Sequence, residues 1–122
     1  MAFKHVTVFG GSGFLGRQIV KSLVVEGVNI RVAVRHPERA SFLKRMGQEG
    51  QIELVRANVW EESTVARAVK KSTWVINTIG HYVEKSGATF DAIHGQGAHN
   101  VARQAGNASV ERLVHISGVG AD

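Results

Sequence analysis

The fold is decided close to the amino terminus, in the stretch Val6-Thr7-Val8-Phe9-Gly10-Gly11-Ser12-Gly13-Phe14-Leu15-Gly16. A short run of β-branched and aromatic residues leads into glycines at positions 10, 13 and 16, and apolar residues at helical spacing follow. Such a turn between a strand and a helix needs Gly10 for the tight bend and Gly13 for close approach of the backbone to a diphosphate. It needs Gly16 so that the helix can pack closely on the strand.

The turn also has the electrostatics of an anion site. The first N–H groups of a helix have no partner within it, and together with the helix dipole they favour negative charge. The hydroxyl of Ser12 adds a further donor. A nucleoside-triphosphatase loop is excluded because no Gly-Lys-Ser/Thr follows. The pattern predicts a dinucleotide site, and the alternative is a glycine-rich turn without a ligand.

Five apolar runs rich in β-branched residues divide the rest of the chain, and helix-compatible segments lie between them. Near-continuous runs of this kind are typical of strands buried on both faces. We expect one domain over residues 1–122, of the α/β class: a Rossmann-like, doubly wound parallel sheet of five strands in order 3-2-1-4-5, with helices on both faces. The predicted strands are Val6–Phe9, Ile30–Val34, Ile52–Val55, Trp74–Ile79 and Leu113–Ile116. The predicted helices cover 14–26, 37–46, 61–70 and 89–105.

Composition narrows the class of protein. The 122 residues carry a net charge of +5, but the basic residues are spread over several segments, which does not favour nucleic-acid binding. There is no apolar run long enough for a membrane span, no signal-peptide pattern and no cysteine, so we expect a cytoplasmic location. No metal site is expected from the six histidines. His94 and His99 are five residues apart, and His115 falls in a predicted buried strand.

The end of the second predicted strand indicates which dinucleotide is preferred. Sites that prefer NAD place Asp or Glu there, to accept hydrogen bonds from the ribose hydroxyls. This chain has Arg35 instead, whose guanidinium can pair with a 2′-phosphate through two N–H groups. Arg17, directly after the glycine turn, is placed to assist. The sequence therefore favours NADP(H), with NAD(H) as the second possibility and a merely solvated Arg35 as the alternative.

Four stretches resemble the extended or atypical branch of the short-chain dehydrogenase/reductase superfamily. They are Val8–Arg17 (VFGGSGFLGR), Val75–Gly80 (VINTIG), Phe90–Ala102 (FDAIHGQGAHNVA) and Leu113–Asp122 (LVHISGVGAD). Taken together they are most similar to bacterial relatives of the nucleotide-binding accessory subunit of respiratory complex I, which are often labelled NAD-dependent epimerase/dehydratase.

The resemblance implies roles for particular residues. Arg35 would hold the 2′-phosphate, and Ser117 matches the Ser/Thr that, in active members, hydrogen-bonds the reacting oxygen of the substrate. Asn58 stands where the family commonly has Asp, and Asn58 and Val59, with Ala57, would flank the adenine. The residues that would contact the pyrophosphate are Gly10, Ser12, Gly13, Phe14, Leu15 and Gly16. Those that would contact the nicotinamide ribose are Thr78, Ile79 and Gly80.

The catalytic Tyr-x-x-x-Lys of the superfamily is not found. Tyr82 is the only tyrosine and Lys85 follows at the wrong spacing, so Tyr82 is interpreted as a loop residue. The family places the pair beyond the fifth strand, so we expect a truncated cofactor-binding part of a longer protein. The fifth strand would then be an uncovered edge, open to self-association.

Three functions remain open at this point. The first is the NADP(H)-binding domain of an oxidoreductase. The second is a non-catalytic nucleotide-binding subunit or sensor with a respiratory-complex partner, on the matrix side if it is complex-associated. The third, which is less favoured, is a sugar-nucleotide epimerase or dehydratase.

Overall fold

The computed structural model describes residues 4–79 and 90–116, and within 90–95 only the backbone. Its sheet is parallel and five-stranded, in the order β3-β2-β1-β4-β5, which confirms the predicted topology. The strands are β1 (His5–Phe9), β2 (Asn29–Val34), β3 (Ile52–Arg56), β4 (Trp74–Asn77) and β5 (Arg112–His115).

The described residues form three α-helices: α1 (Phe14–Glu26), α2 (Glu62–Val69) and α3 (Phe90–Asn107). The bounds of α1 agree with the prediction because the residue directly after it, Gly27, ends the helix. Gly27 adopts a left-handed conformation, with φ of 78°, and its N–H donates to the carbonyl oxygen of Val24. Of the helices in the described part of the chain, none is both long enough and apolar enough to cross a membrane.

The predicted helix over 37–46 is wrong in type. The chain forms two 3-10 helices instead, Pro37–Arg39 and Ser41–Met46. In a 3-10 helix, residues three apart lie on one side. Ala40 and Leu43 have this spacing and are buried in the core, with Met46 packed against it. The sequence already showed apolar residues at this spacing of three, and this was the signal for a 3-10 helix that the prediction of an α-helix missed.

Alternate residues of the strands supply two cores, one on each face of the sheet. Val6 and Val8 point to the face covered by α1 and the 3-10 helices. Phe9 and Val75 point to the face covered by α2 and α3. Helices on both faces are therefore confirmed. Because the strands are parallel, the carboxyl ends of all five lie at one edge of the sheet, where the glycine turn also lies.

Strand β5 differs from the expectation of burial on both faces. Its four residues are exposed, with Leu113 and Val114 each at 37%. The prediction of a core position for His115 is also wrong, since its side chain is exposed. In the described part of the chain β5 is paired with β4 alone, which makes it the edge strand that the sequence predicted.

Candidate functional site

The glycine turn has the strained geometry that its sequence predicts. Gly10 has φ of +83°, and its N–H donates to the carbonyl oxygen of Ala33, at 3.1 Å, at the end of β2. A Cβ on Gly10 would lie 2.5 Å from the hydroxyl oxygen of Thr78. Gly10 therefore lies between the ends of β1, β2 and β4, where there is no room for a side chain.

Two more glycines are required by packing within the protein. A Cβ on Gly16 would overlap the carbonyl oxygen of Gly10 and would lie 2.6 Å from the Cα of Gly11. The start of α1 therefore lies directly against the turn. Gly11, which the sequence analysis did not single out, is equally confined, because its Cβ would lie 2.5 Å from the Cγ1 of Val32.

Gly13 is different, since nothing in the described protein requires a glycine there. Its backbone is extended, with φ of −77°, a conformation open to any residue. A Cβ would find only the carbonyl oxygen of Gly10, at an ordinary 3.7 Å. The space beside Gly13 is thus open at the carboxyl edge, which fits the approach of a bound group to the backbone.

The amino terminus of α1 is left unneutralised in the described structure. Gly13 is the N-cap without a side-chain hydrogen bond, and the first turn has no acidic residue. The first helical bond runs from the N–H of Arg17 to the carbonyl oxygen of Gly13, at 2.8 Å. The N–H groups of Phe14, Leu15 and Gly16 therefore have no partner within the helix. This end of α1 can bind an anion.

The two arginines near the turn have different surroundings. Arg17 donates from Nε to the carbonyl oxygen of Ser12 at 3.0 Å, and its guanidinium lies 5.2 Å from the ring centre of Phe42. Arg35 is exposed at the end of β2, and none of the contacts found in residues 4–79 and 90–116 involves its side chain. Arg35 is thus free to bind a ligand, whereas Arg17 is already held.

The segment after β3 lies beside Arg35, because the N–H of Ala57 donates to the carbonyl oxygen of Val34 at 2.8 Å. Asn58 is half-buried, and its Oδ1 accepts the N–H of Trp60 at 2.9 Å. Val59 is only 8% exposed and its side chain belongs to the core. Ala57 is buried too, at 4% exposed, so of the three residues predicted to flank an adenine Asn58 is the one whose side chain is accessible.

At the end of β4, two polar side chains are used within the fold. Thr78 is 3% exposed and donates its hydroxyl proton to the carbonyl oxygen of Phe9, at 2.7 Å. Asn77, which the sequence analysis did not name as a site residue, is 1% exposed. Its Oδ1 accepts the N–H of Ile79 at 3.0 Å. The sequence signal that could have identified Asn77 is an asparagine within an otherwise apolar run.

Some of the predicted site residues cannot be placed. Gly80, Tyr82, Lys85 and Ser117 lie outside the described residues. The described part brings together the glycine turn, Arg35, Asn58 and Thr78 at one edge of the sheet.

A parallel sheet of this order, with a glycine turn at the first strand–helix junction, defines a Rossmann-type dinucleotide-binding domain. The chain belongs to the NAD(P)H-binding family, whose model matches residues 10–122.

Several curated relatives of this chain are subunits of respiratory complex I. The chain is 35% identical over 112 residues to NADH dehydrogenase [ubiquinone] 1 alpha subcomplex subunit 9 of Dictyostelium discoideum, which covers 91% of the chain. It is 29% identical over 116 residues to the NADH-ubiquinone oxidoreductase 40 kDa subunit of Neurospora crassa, covering 95% of the chain. The chain spans 31% of the length of each of these relatives.

The fold has solved counterparts among dehydrogenases and epimerases. Uronate dehydrogenase from Agrobacterium tumefaciens superimposes with a TM-score of 0.76 at 23% identity, over 97% of this chain and 42% of that one. The resemblance to the short-chain dehydrogenase/reductase superfamily and to the complex I subunits is confirmed by these relatives.

Proposed function

We propose that this chain is the NADP(H)-binding domain of an atypical short-chain dehydrogenase/reductase, of the oxidoreductase or epimerase/dehydratase type. The observation that carries the proposal is Gly13, which is glycine although the described fold has room for a Cβ. A bound pyrophosphate explains this choice, because the backbone N–H groups at the start of α1 must approach it closely.

Each part of the site has a role in this proposal. The N–H groups of Phe14 and Leu15, with the Ser12 hydroxyl, bind the pyrophosphate. Arg35 binds the 2′-phosphate and so selects NADP(H) over NAD(H). Asn58 lies beside the base. The bound dinucleotide supplies a hydride donor or acceptor, and the residues of this chain orient it at the carboxyl edge of the sheet.

The proposal is tested by titration calorimetry with NADPH on the Gly13→Ala variant. A methyl group at position 13 fits the protein but occupies the approach of the pyrophosphate, so the Kd should rise at least about tenfold, equivalent to about 1.4 kcal/mol. The thermal unfolding temperature should not change. Gly106→Ala is the matched control, because its Cβ likewise meets no close neighbour and the position lies at the far end of α3. Equal NADPH affinity in wild type and Gly13→Ala would contradict the proposal.

The second function is a non-catalytic nucleotide-binding subunit, and the complex I relatives favour it. In that case the domain holds NADP(H) structurally, and the protein has a respiratory-complex partner on the matrix or cytoplasmic side. The gene sequence after the codon for Asp122 separates the two. A Tyr-x-x-x-Lys pair there supports an enzyme, and its absence supports the subunit.

A further inference from the structure

The hydroxyl of Thr78 bonds to the backbone of the glycine turn from the end of β4. It donates to the carbonyl oxygen of Phe9 at 2.7 Å and lies 3.2 Å from the carbonyl oxygen of Gly10. The N–H of Thr78 donates to the same oxygen of Phe9, at 3.0 Å. The side chain is 3% exposed, so its hydroxyl is directed at the turn rather than at the surface.

The carbonyl oxygen of Gly10 is turned into the protein. It accepts the N–H of Gly13 at 3.2 Å, and it lies so close to Gly16 that a Cβ there would overlap it. This orientation keeps the partial negative charge of the oxygen away from the open side of the turn. On that side the N–H groups at the start of α1 favour an anion.

Gly10 needs a contact from outside the turn because its own backbone is weakly restrained. It has no Cβ, the residue after it is glycine as well, and glycines populate more backbone conformations than other residues do. The N–H of Gly10 is held by the carbonyl oxygen of Ala33, at 3.1 Å. The carbonyl oxygen belongs to the next peptide group, and among the described residues the Thr78 hydroxyl is the one side-chain donor that reaches it.

We propose that Thr78 is a positioning residue of the phosphate turn. By holding the carbonyl oxygens of Phe9 and Gly10, its hydroxyl keeps the turn in the conformation that binds a diphosphate before the ligand arrives. A turn that is already ordered loses less conformational freedom on binding, and its affinity is higher for that reason. This inference rests on the proposed dinucleotide function, and it gives the Thr78 side chain a role that needs no contact with the ligand.

Titration calorimetry with NADPH on two variants of Thr78 tests this role. Thr78→Ser and Thr78→Ala both lose the γ-methyl group, and only the serine keeps the hydroxyl. We expect the Kd of Thr78→Ser to stay within about twofold of the wild type, and that of Thr78→Ala to rise at least about threefold, as for the loss of one hydrogen bond. If the alanine variant does not fold, Thr78→Val, which keeps the side-chain volume, takes its place with the same expectation.

Thr7→Ala is the matched control for a general loss of stability. Thr7 is also buried, at 1% exposed, and its hydroxyl donates to the carbonyl oxygen of Ala68 at 3.1 Å. That partner belongs to α2 and not to the turn. Thr7→Ala should therefore lower the thermal unfolding temperature and leave the Kd of NADPH unchanged.

The outcomes separate this role from the proposed function. An unchanged Kd in Thr78→Ala, an equal rise in Thr78→Ser, or an equal rise in Thr7→Ala would overturn the role of Thr78 and leave the proposed function standing. Failure of the wild type to bind NADPH would overturn the proposed function and this inference with it.

Discussion

The amide of Asn77 donates a hydrogen bond to Nδ1 of His115, at 3.1 Å, across the carboxyl ends of β4 and β5. The direction of this bond follows from Ile79, whose N–H occupies the amide oxygen at 3.0 Å and so turns Nδ2 toward the histidine. Nδ1 accepts this bond in the tautomer of His115 that carries its proton on Nε2.

We therefore expect nitrogen NMR of the wild type to show that the neutral form of His115 carries its proton on Nε2. Asn77→Asp should move a proton onto Nδ1, because a carboxylate oxygen replaces the donor. A wild-type spectrum with the proton on Nδ1 would contradict the assigned orientation of Asn77.

Arg35 should determine the choice of dinucleotide. Arg35→Asp removes the pairing with a 2′-phosphate and adds a repelling charge, so the Kd of NADPH should rise at least about tenfold. The Kd of NADH should stay the same or fall. Lys21→Asp, the same change of charge at an exposed position within α1, is the control and should leave the preference intact. Equal wild-type affinities for NADPH and NADH in titration calorimetry would refute the assignment of Arg35.

Gly16 should be essential to stability where Gly13 is not. Gly16→Ala forces a methyl group against the backbone of the turn, and we expect a loss of about 1–3 kcal/mol in the free energy of unfolding. Gly106→Ala, in an open helical position, should stabilise by about 0.5–1 kcal/mol. Urea denaturation of the wild type, Gly16→Ala and Gly106→Ala measures both changes in the free energy of unfolding. A Gly16→Ala variant as stable as the wild type would mean that α1 does not press on the turn.

Acid stability should depend on Glu62. Hydrogen bonds from Gln104 and Arg103 hold the pKa of this carboxyl below its ordinary value, and Arg103 Nη1 lies 2.7 Å from both oxygens. A lowered folded-state pKa means that the stabilisation is complete above the unfolded pKa and is lost as the pH falls through the folded one. Glu62→Gln should therefore be less stable than wild type at pH 7, and the difference should vanish in strong acid. A difference that is independent of pH in denaturation curves would show that charge is not the cause.

The edge of the sheet at β5 should promote self-association of this chain. Its apolar residues Leu113 and Val114 are exposed, and in the described residues it pairs on one side only. We expect the mass measured by light scattering to increase with concentration, and Val114→Lys to reduce that increase. A monodisperse monomer at high concentration would contradict this.

The accuracy of the sequence predictions follows the range of the interactions involved. The bounds of α1 are set by glycines at its two ends and by helical spacing between them, and these signals lie within one segment. The two 3-10 helices were missed because their core contacts, through Ala40 and Leu43, follow a spacing of three. His115 was placed in the core because a strand pattern does not reveal how far other elements cover the two faces of that strand.

The candidate site divides in the same way. The glycine turn and Arg35 are visible as residue types at fixed positions after strands. Which arginine is free for a ligand depends on Phe42, which lies on a separate segment and holds Arg17. The burial of Val59 depends on α3, whose Val101 and Ala105 belong to the same core cluster.

The amino-acid sequence alone determines the α/β class, the strand order and the position of the phosphate turn. These follow from local periodicity, glycine geometry and the handedness of crossovers between parallel strands. Only the tertiary structure decides which glycines the fold itself requires, whether Arg17 or Arg35 is free for a ligand, and which way the amides of Asn58 and Asn77 face. The physical reason is that steric room and hydrogen-bond direction are set by neighbours that are distant in the chain.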